Sequence, residues 1–314
     1  MNKFTIIIIV ILPGLLFQSC LKDRDSEEKA EETRIFEQYI KNNGIIADSI
    51  SPSGLYYIED KAGTGDKPGY TDWIEFSFNA RLVSNPDAIV ITTDSLTAQD
   101  NNIYNSLTLY GPKRVLMSTI MIAGLYEGLT MMREGAKARF IFKSNLGYGK
   151  YTAEKISPYS SLIFEVELLH VIHNIDRYER NLMTKFLLEN NITDDSTSSG
   201  LVYHEVFPGT GNYPAIGDIV EIIYKGYFLN GKSFTSQATS KTFSIGYSQL
   251  IPGVEEGIKL MKKGGKAKLI IPYYLAYGSA GYVYQVIQNQ EMNYYTLIWP
   301  YSTLVYDIEL VDIN

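Results

Sequence analysis

Gln249-Leu250-Ile251-Pro252-Gly253-Val254-Glu255-Glu256-Gly257 is the stretch on which the fold turns. From Val254 onward the apolar residues Val254, Ile258 and Met261 fall at i, i+4 and i+7, the spacing of a short amphipathic helix, and Gly264 closes it. Upstream, Leu125, Leu129 and Met132 keep the same spacing and Gly135 closes them. One helix written twice prompts a search for a longer repeat.

The repeat extends in both directions. Ser53-Gly54-Leu55-Tyr56-Tyr57 returns as Ser199-Gly200-Leu201-Val202-Tyr203, and Gly63-Thr64-Gly65 as Gly209-Thr210-Gly211, each pair 146 residues apart. Tyr39-Ile40-Lys41-Asn42-Asn43 parallels Leu187-Leu188-Glu189-Asn190-Asn191, so a helix precedes each copy. Alternating apolar residues mark strands in both copies. They are Ile74, Phe76, Phe78, Ala80 and Leu82 against Val220, Ile222, Tyr224 and Phe228, then Ala138, Phe140 and Phe142 against Ala267, Leu269 and Ile271. The last strands carry Leu162, Phe164, Val166 and Leu168, and Leu304, Tyr306, Ile308 and Leu310. The pattern predicts an α+β fold in which each copy is an antiparallel sheet wrapped on a short helix. The expected order is a signal segment at 1–19, an acidic tether at 20–34, a first domain at 35–172, a linker helix at 173–191 and a second domain at 192–314.

Composition is that of a globular chain, 45% hydrophobic and 20% charged, with enough apolar mass for two cores. Its formal net charge is −7 and it has no basic tract, which argues against nucleic acid as a partner. His170-x-x-His173 lacks the further ligands a metal site needs. The apolar run Phe4–Phe17 has the layout of a secretory signal and ends in Phe17-Gln18-Ser19-Cys20. Cys20 is the only cysteine, and its setting resembles a bacterial lipoprotein cleavage site, which implies lipidation there and a membrane partner through the anchor. The charged residues Lys22–Glu28 read as a solvated tether or the start of an exposed helix.

Three motifs of the second copy, in order, resemble the FK506-binding-protein (FKBP) family of peptidyl-prolyl isomerases. They are the quoted stretch at 249–257, Pro272-Tyr273-Tyr274-Leu275-Ala276-Tyr277-Gly278, and the final strand Pro300–Leu310. The first copy is fainter, with Ala123–Leu129, Leu146-Gly147-Tyr148-Gly149 and Ser161–Leu168 in matching places. The resemblance implies a proline-isomerising pocket that needs no cofactor or metal. Its walls would be Tyr224, Phe234, Leu250, Ile251, Val254, Tyr277 and Tyr306. Tyr277, Tyr224 and the Ile251 N–H would carry the chemistry, and Tyr282 would stand beside them. The first copy would use Phe78, Asp94, Met121, Ile122, Leu125, Tyr148 and Phe164. Two departures bear on the second copy. Thr235 stands where the family usually has Asp, and Val254 where it often has Trp.

The expected activity is isomerisation of proline-containing unfolded or exported polypeptides in the cell envelope, on an outer-membrane lipid anchor. The departures keep a non-catalytic peptide- or chaperone-binding lipoprotein in play as the alternative. A glycan binder using the aromatic residues of 282–299, Trp299 among them, is a third reading. Every aromatic here could equally be a core residue.

Overall fold

A computed structural model describes residues 16–153, 155–288 and 291–314. Most of the expected signal segment, and the side chain of Cys20, lie outside the described residues. The acidic segment that follows is helix rather than tether: α1 runs Leu16–Asn42. Among the described residues no helix is long and apolar enough to cross a membrane.

After α1 come β1 (Ser49–Ile50), β2 (Tyr56–Lys61), β3 (Trp73–Leu82), β4 (Asn85–Thr92), α2 (Ser95–Asp100), β5 (Lys113–Leu116), α3 (Ala123–Met131), β6 (Lys137–Phe142) and β7 (Leu162–Ile172). The second copy follows with α4 (Ile175–Glu189), β8 (Val202–Phe207), β9 (Ile219–Phe228), β10 (Ser233–Ser244), α5 (Pro252–Lys259), β11 (Lys266–Ile271), β12 (Tyr282–Gln288), β13 (Glu291–Ile298) and β14 (Leu304–Ile313).

The duplication is visible in the strand order. The first sheet runs β1-β2-β6-β7-β3-β4 with β5 paired to β3, and the second runs β8-β11-β14-β9-β10. β2, β6, β7, β3 and β4 thus occupy the places of β8, β11, β14, β9 and β10. All the pairings resolved are antiparallel, with Phe140 opposite Phe164 and Leu269 opposite Tyr306. β1 and β5 have no counterpart in the second sheet, and β12 and β13 form a separate hairpin inside the second copy.

The Gly-x-x-x-Gly spacing shared by α3 and α5 has a packing cause. A Cβ on Gly128 would sit 2.5 Å from the Phe140 ring, and one on Gly257 would sit 2.3 Å from Leu269 Cδ1. Only a bare Cα lets each helix lie this close to its central strand. The opposite face of each central strand is also covered, by the helix that precedes the copy. Phe36 of α1 packs with Ile58, Val83, Ile141 and Ile163, and Phe186 of α4 with Val202, Ile270 and Val305. Burying an aromatic side chain such as Phe186 contributes about 1.5–3 kcal/mol. Both faces being covered explains why Phe140-Ile141-Phe142 and Leu269-Ile270-Ile271 are apolar runs rather than alternations.

The two preceding helices end alike, but one residue off the expected alignment. Asn43 N–H and Nδ2 both donate to Tyr39 O, at 3.1 and 2.9 Å, and Asn190 does the same to Phe186 O at 3.0 and 2.9 Å. Gly44 and Asn191 then take positive φ, 56° and 55°. Asn43 therefore matches Asn190, not Asn191. A polar cap followed by a left-handed residue sets the correspondence, and either asparagine of the first pair looks the same in sequence.

Contacts divide the chain into two compact units. One takes Met1–Lys67, Ser77–Ile103 and Ile120–Leu168, and the other Pro68–Phe76, Tyr104–Thr119 and Leu169–Asn314. The second unit thus includes two segments, 68–76 and 104–119, that the sequence reading places in a 35–172 domain. Within it Arg114 is nearly buried and binds Glu75 at 2.7 Å and Glu179 at 2.5 Å.

Candidate functional site

The second copy gathers its expected residues into one aromatic box. Tyr224 stands on β9 at the position that faces the core, beside Val220 and Ile222. Its ring lies 6.1 Å from that of Tyr306 on β14 and 6.4 Å from that of Phe243 on β10. Phe234, also on β10, meets Tyr306 edge-on at 5.7 Å and Phe228 at 5.2 Å. Gly226 makes this possible: it pairs with both Thr235 and Tyr306, and a Cβ there would sit 2.7 Å from the Phe234 ring.

α5 supplies the next wall. Ile251 is its N-cap residue, with extended φ −65° and ψ 148°. Its carbonyl accepts from Val254 and Glu255 N–H at 3.0 and 3.1 Å, while its own N–H has no acceptor among the described residues. Leu250 and Ile251 pack partly buried against the same cluster, and Val254 is 3% exposed.

Tyr277 closes the box from the loop after β11, where Ala276 and Gly278 N–H both donate to Tyr273 O. Burial, and then the neighbouring phenol of Tyr282, raise its proton affinity. Burial first, then the phenols of Tyr277 and Tyr224, hold Tyr306 far above the ordinary phenol range. Both phenols are thus uncharged at neutral pH. Tyr282, at the start of β12, lies 5.2 Å ring to ring from Tyr277 and is exposed.

Such a box suits one kind of chemistry. It holds neutral phenols and an open backbone N–H against apolar walls, with no nucleophile and no charged general base. It can grip an apolar ring and a carbonyl in a water-poor setting. The pattern of the FKBP-type peptidyl-prolyl cis-trans isomerases matches residues 97–169 and 211–311, more than half of the chain. The chain belongs to the FKBP-type peptidyl-prolyl cis-trans isomerase family.

Among its FKBP relatives, FkpA of Escherichia coli (strain K12), an FKBP-type peptidyl-prolyl cis-trans isomerase, is 42% identical over 131 residues, 41% of this chain and 43% of FkpA. Human peptidyl-prolyl cis-trans isomerase FKBP10 is 29% identical over 198 residues, 62% of this chain and 28% of FKBP10. The crystal structure of Escherichia coli FkpA aligns over 45% of this chain and 62% of that one, with TM-score 0.35 and 34% identity. The matched stretch spans less than half the length of these curated FKBP relatives.

The first FKBP copy arranges its expected residues differently among the described residues. Phe78 meets Phe164 at 5.4 Å, but Phe164 is 1% exposed and stacks on Phe142 at 5.7 Å. Leu125 is 5% exposed, much as its counterpart Val254 is at 3%. Asp94 is exposed and caps α2, accepting from Thr97 N–H at 2.7 Å, and that bond holds its carboxyl below the usual range. Phe78 and Asp94 do border a common cavity of about 540 Å³, but Lys137, Arg139, Glu165 and Glu167 line it too, and Ile122, Leu125, Tyr148 and Phe164 do not. Ile122 is the N-cap residue of α3, Met121 is 95% exposed and Tyr148 is half-buried in the turn before Gly149.

Sequence reading missed Phe243 and Phe228. Both stand on strands at alternating positions that an aromatic count alone could not separate from ordinary core.

Proposed function

We propose that this protein isomerises Xaa-Pro bonds in exported, unfolded polypeptides, and that the second copy does the work. The observation that carries this reading is the convergence of Tyr224, Phe234, Ile251, Val254, Tyr277 and Tyr306 on one buried cluster. Resonance makes the barrier to rotation about a peptide bond ~20 kcal/mol, and uncatalysed Xaa-Pro exchange is correspondingly slow. At the twisted midpoint that resonance is lost and the amide is less dipolar. A box whose walls exclude water, such as Val254, Phe243 and Tyr306, favours the twisted form over the planar one.

Each residue then has a role. Phe234, Tyr306 and Val254 receive the proline ring. The Tyr277 hydroxyl and the Ile251 N–H donate to the substrate carbonyl. Tyr224 backs Tyr306 and completes the apolar wall, and Tyr282 extends it toward the β12–β13 hairpin. No proton is transferred, so the neutral state of the phenols is what the reaction needs. Residues 35–172 and 192–314 serve as two FKBP-like domains. The first holds substrate or spaces the second from the membrane. Lipidation of Cys20 would place the protein in the cell envelope, on the outer membrane.

A protease-coupled assay on a proline-containing peptide tests the activity, with Tyr277→Phe as the diagnostic variant. Acceleration by the unmodified chain, lowered by Tyr277→Phe, is the expected result. Binding of the peptide without acceleration would instead favour the non-catalytic reading. Labelling with a lipid precursor tests the anchor: it should mark the unmodified protein and not Cys20→Ser.

A further inference from the structure

The helix before each copy does more than cover a sheet. In the second copy, Asp176 and Glu179 stand three residues apart on one face of α4. Neither belongs to the aromatic box. Each engages one end of the segment 273–303, which carries Tyr277 and the β12–β13 hairpin.

At the first end, the hydroxyl of Tyr273 donates to Asp176. Tyr273 opens the turn whose carbonyl receives the N–H groups of Ala276 and Gly278, at 3.0 and 2.9 Å, and so sets the place of Tyr277. At the other end, one oxygen of Glu179 accepts the Thr303 N–H at 2.9 Å, and the other accepts from Arg114 at 2.5 Å. Thr303 immediately precedes β14, which brings Tyr306 into the box. The two ends also meet each other: the rings of Tyr273 and Tyr301 are 4.9 Å apart, and Tyr301 N–H donates to Gly278 O at 3.0 Å. Glu179 is 3% exposed, so it is not part of a solvated charged face.

The first copy shows the same device independently. Glu32 of α1, 8% exposed, accepts from Ser144 N–H at 2.5 Å, from Ser144 Oγ at 2.8 Å and from Ser161 Oγ at 2.8 Å. Ser144 opens the turn that leads to Tyr148, and Ser161 immediately precedes β7. Tyr159 N–H donates to Gly149 O there, as Tyr301 does to Gly278. One carboxylate serves both ends in the first copy. In the second, a tyrosine replaces Ser144 and reaches further, and a second carboxylate one helical turn earlier receives it.

We propose that Asp176 and Glu179 are positioning residues: α4 clamps both ends of the 273–303 segment and so fixes Tyr277 and Tyr306 relative to each other. This rests on the isomerase reading for its effect on rate, but the clamp itself is measurable without turnover.

The test uses the full chain with Tyr273→Phe, which deletes one hydroxyl, Asp176→Ala, and the pair combined. Amide hydrogen exchange is followed alongside kcat and KM for a proline-containing peptide. Exchange at Ala276, Gly278 and Tyr301 should rise about tenfold in either single variant while β9 and β11 keep their protection. The double variant should be no worse than the singles, because both remove one interaction. Turnover should show kcat lowered about fivefold with KM little changed, since the substrate still finds its apolar walls. Unchanged exchange at those amides overturns the clamp, whatever the activity. Raised exchange in a chain that never accelerates the peptide supports the clamp and removes the isomerase reading instead. Raised exchange with unaltered kcat overturns the positioning role.

Discussion

The ring of Phe234 meets that of Tyr306 edge-on, with centroids 5.7 Å apart and planes at 71°, above the bare Cα of Gly226. An edge-to-face pair of this kind contributes roughly 0.5–1.5 kcal/mol beyond the area it buries. Gly226 is buried between them in the sheet, so the pocket wall depends on a residue that has no side chain.

Gly226→Val tests that dependence. Its Cβ would stand 2.7 Å from the Phe234 ring and 2.8 Å from Thr235 Cγ2, so the ring must move. Overpacking should lower stability by about 1–3 kcal/mol. Urea unfolding measures the loss, and peptide isomerisation should fall by more than the unfolded fraction explains.

The phenols predict a flat pH profile. Both Tyr277 and Tyr306 have raised proton affinities. A group whose folded pKa lies above its unfolded value contributes stability that is present below the unfolded pKa and lost as pH rises through the folded one. The unfolded phenol titrates near ~10. Isomerisation should therefore be level from about pH 6 to 9, and stability should decline above about pH 10. Tyr306→Phe should reduce that alkaline decline, read by unfolding at successive pH values.

Arg114 stands between Glu75 and Glu179 with its side chain 10% exposed. Burial opposes its charge, but the two carboxylates outweigh that and raise its pKa. Arg114→Met would leave two buried carboxylates without their cation, a loss of about 3–5 kcal/mol. The shift of the denaturant midpoint measures this.

Much of the fold is legible in the sequence. Glycines at fixed spacing, alternating strands and paired turns are local signals, and each reflects a backbone need that few residues meet. What escaped depended on distant partners. Ile141 and Ile270 interrupt the expected alternation because α1 and α4 cover the second face of each sheet. α2 and β5 lie in the stretch 83–120, where the first copy carries extra residues and the repeat gives no guide. Asp176 and Glu179 read as the charged start of a linker, since nothing local shows that Tyr273 and Thr303 return to them.

The same reasoning separates the two candidate sites. The second copy's motifs are contiguous, and each places one wall. The first copy's Asp94 lies in the altered stretch, where a helix cap and a pocket charge look alike in sequence. Asp94→Ala should cost about 0.5–2 kcal/mol through loss of the cap, with thermal unfolding as the measure. It should leave the isomerisation rate of the folded protein unchanged.

The most direct measurement is Xaa-Pro exchange in a short peptide, followed by NMR with the full chain, with Phe234→Ala and with Phe78→Ala. A catalytic second copy predicts that the unmodified chain accelerates exchange, that Phe234→Ala lowers the acceleration by about tenfold or more, and that Phe78→Ala leaves it within about twofold. No acceleration by the folded chain, or a loss that follows Phe78 rather than Phe234, would contradict it.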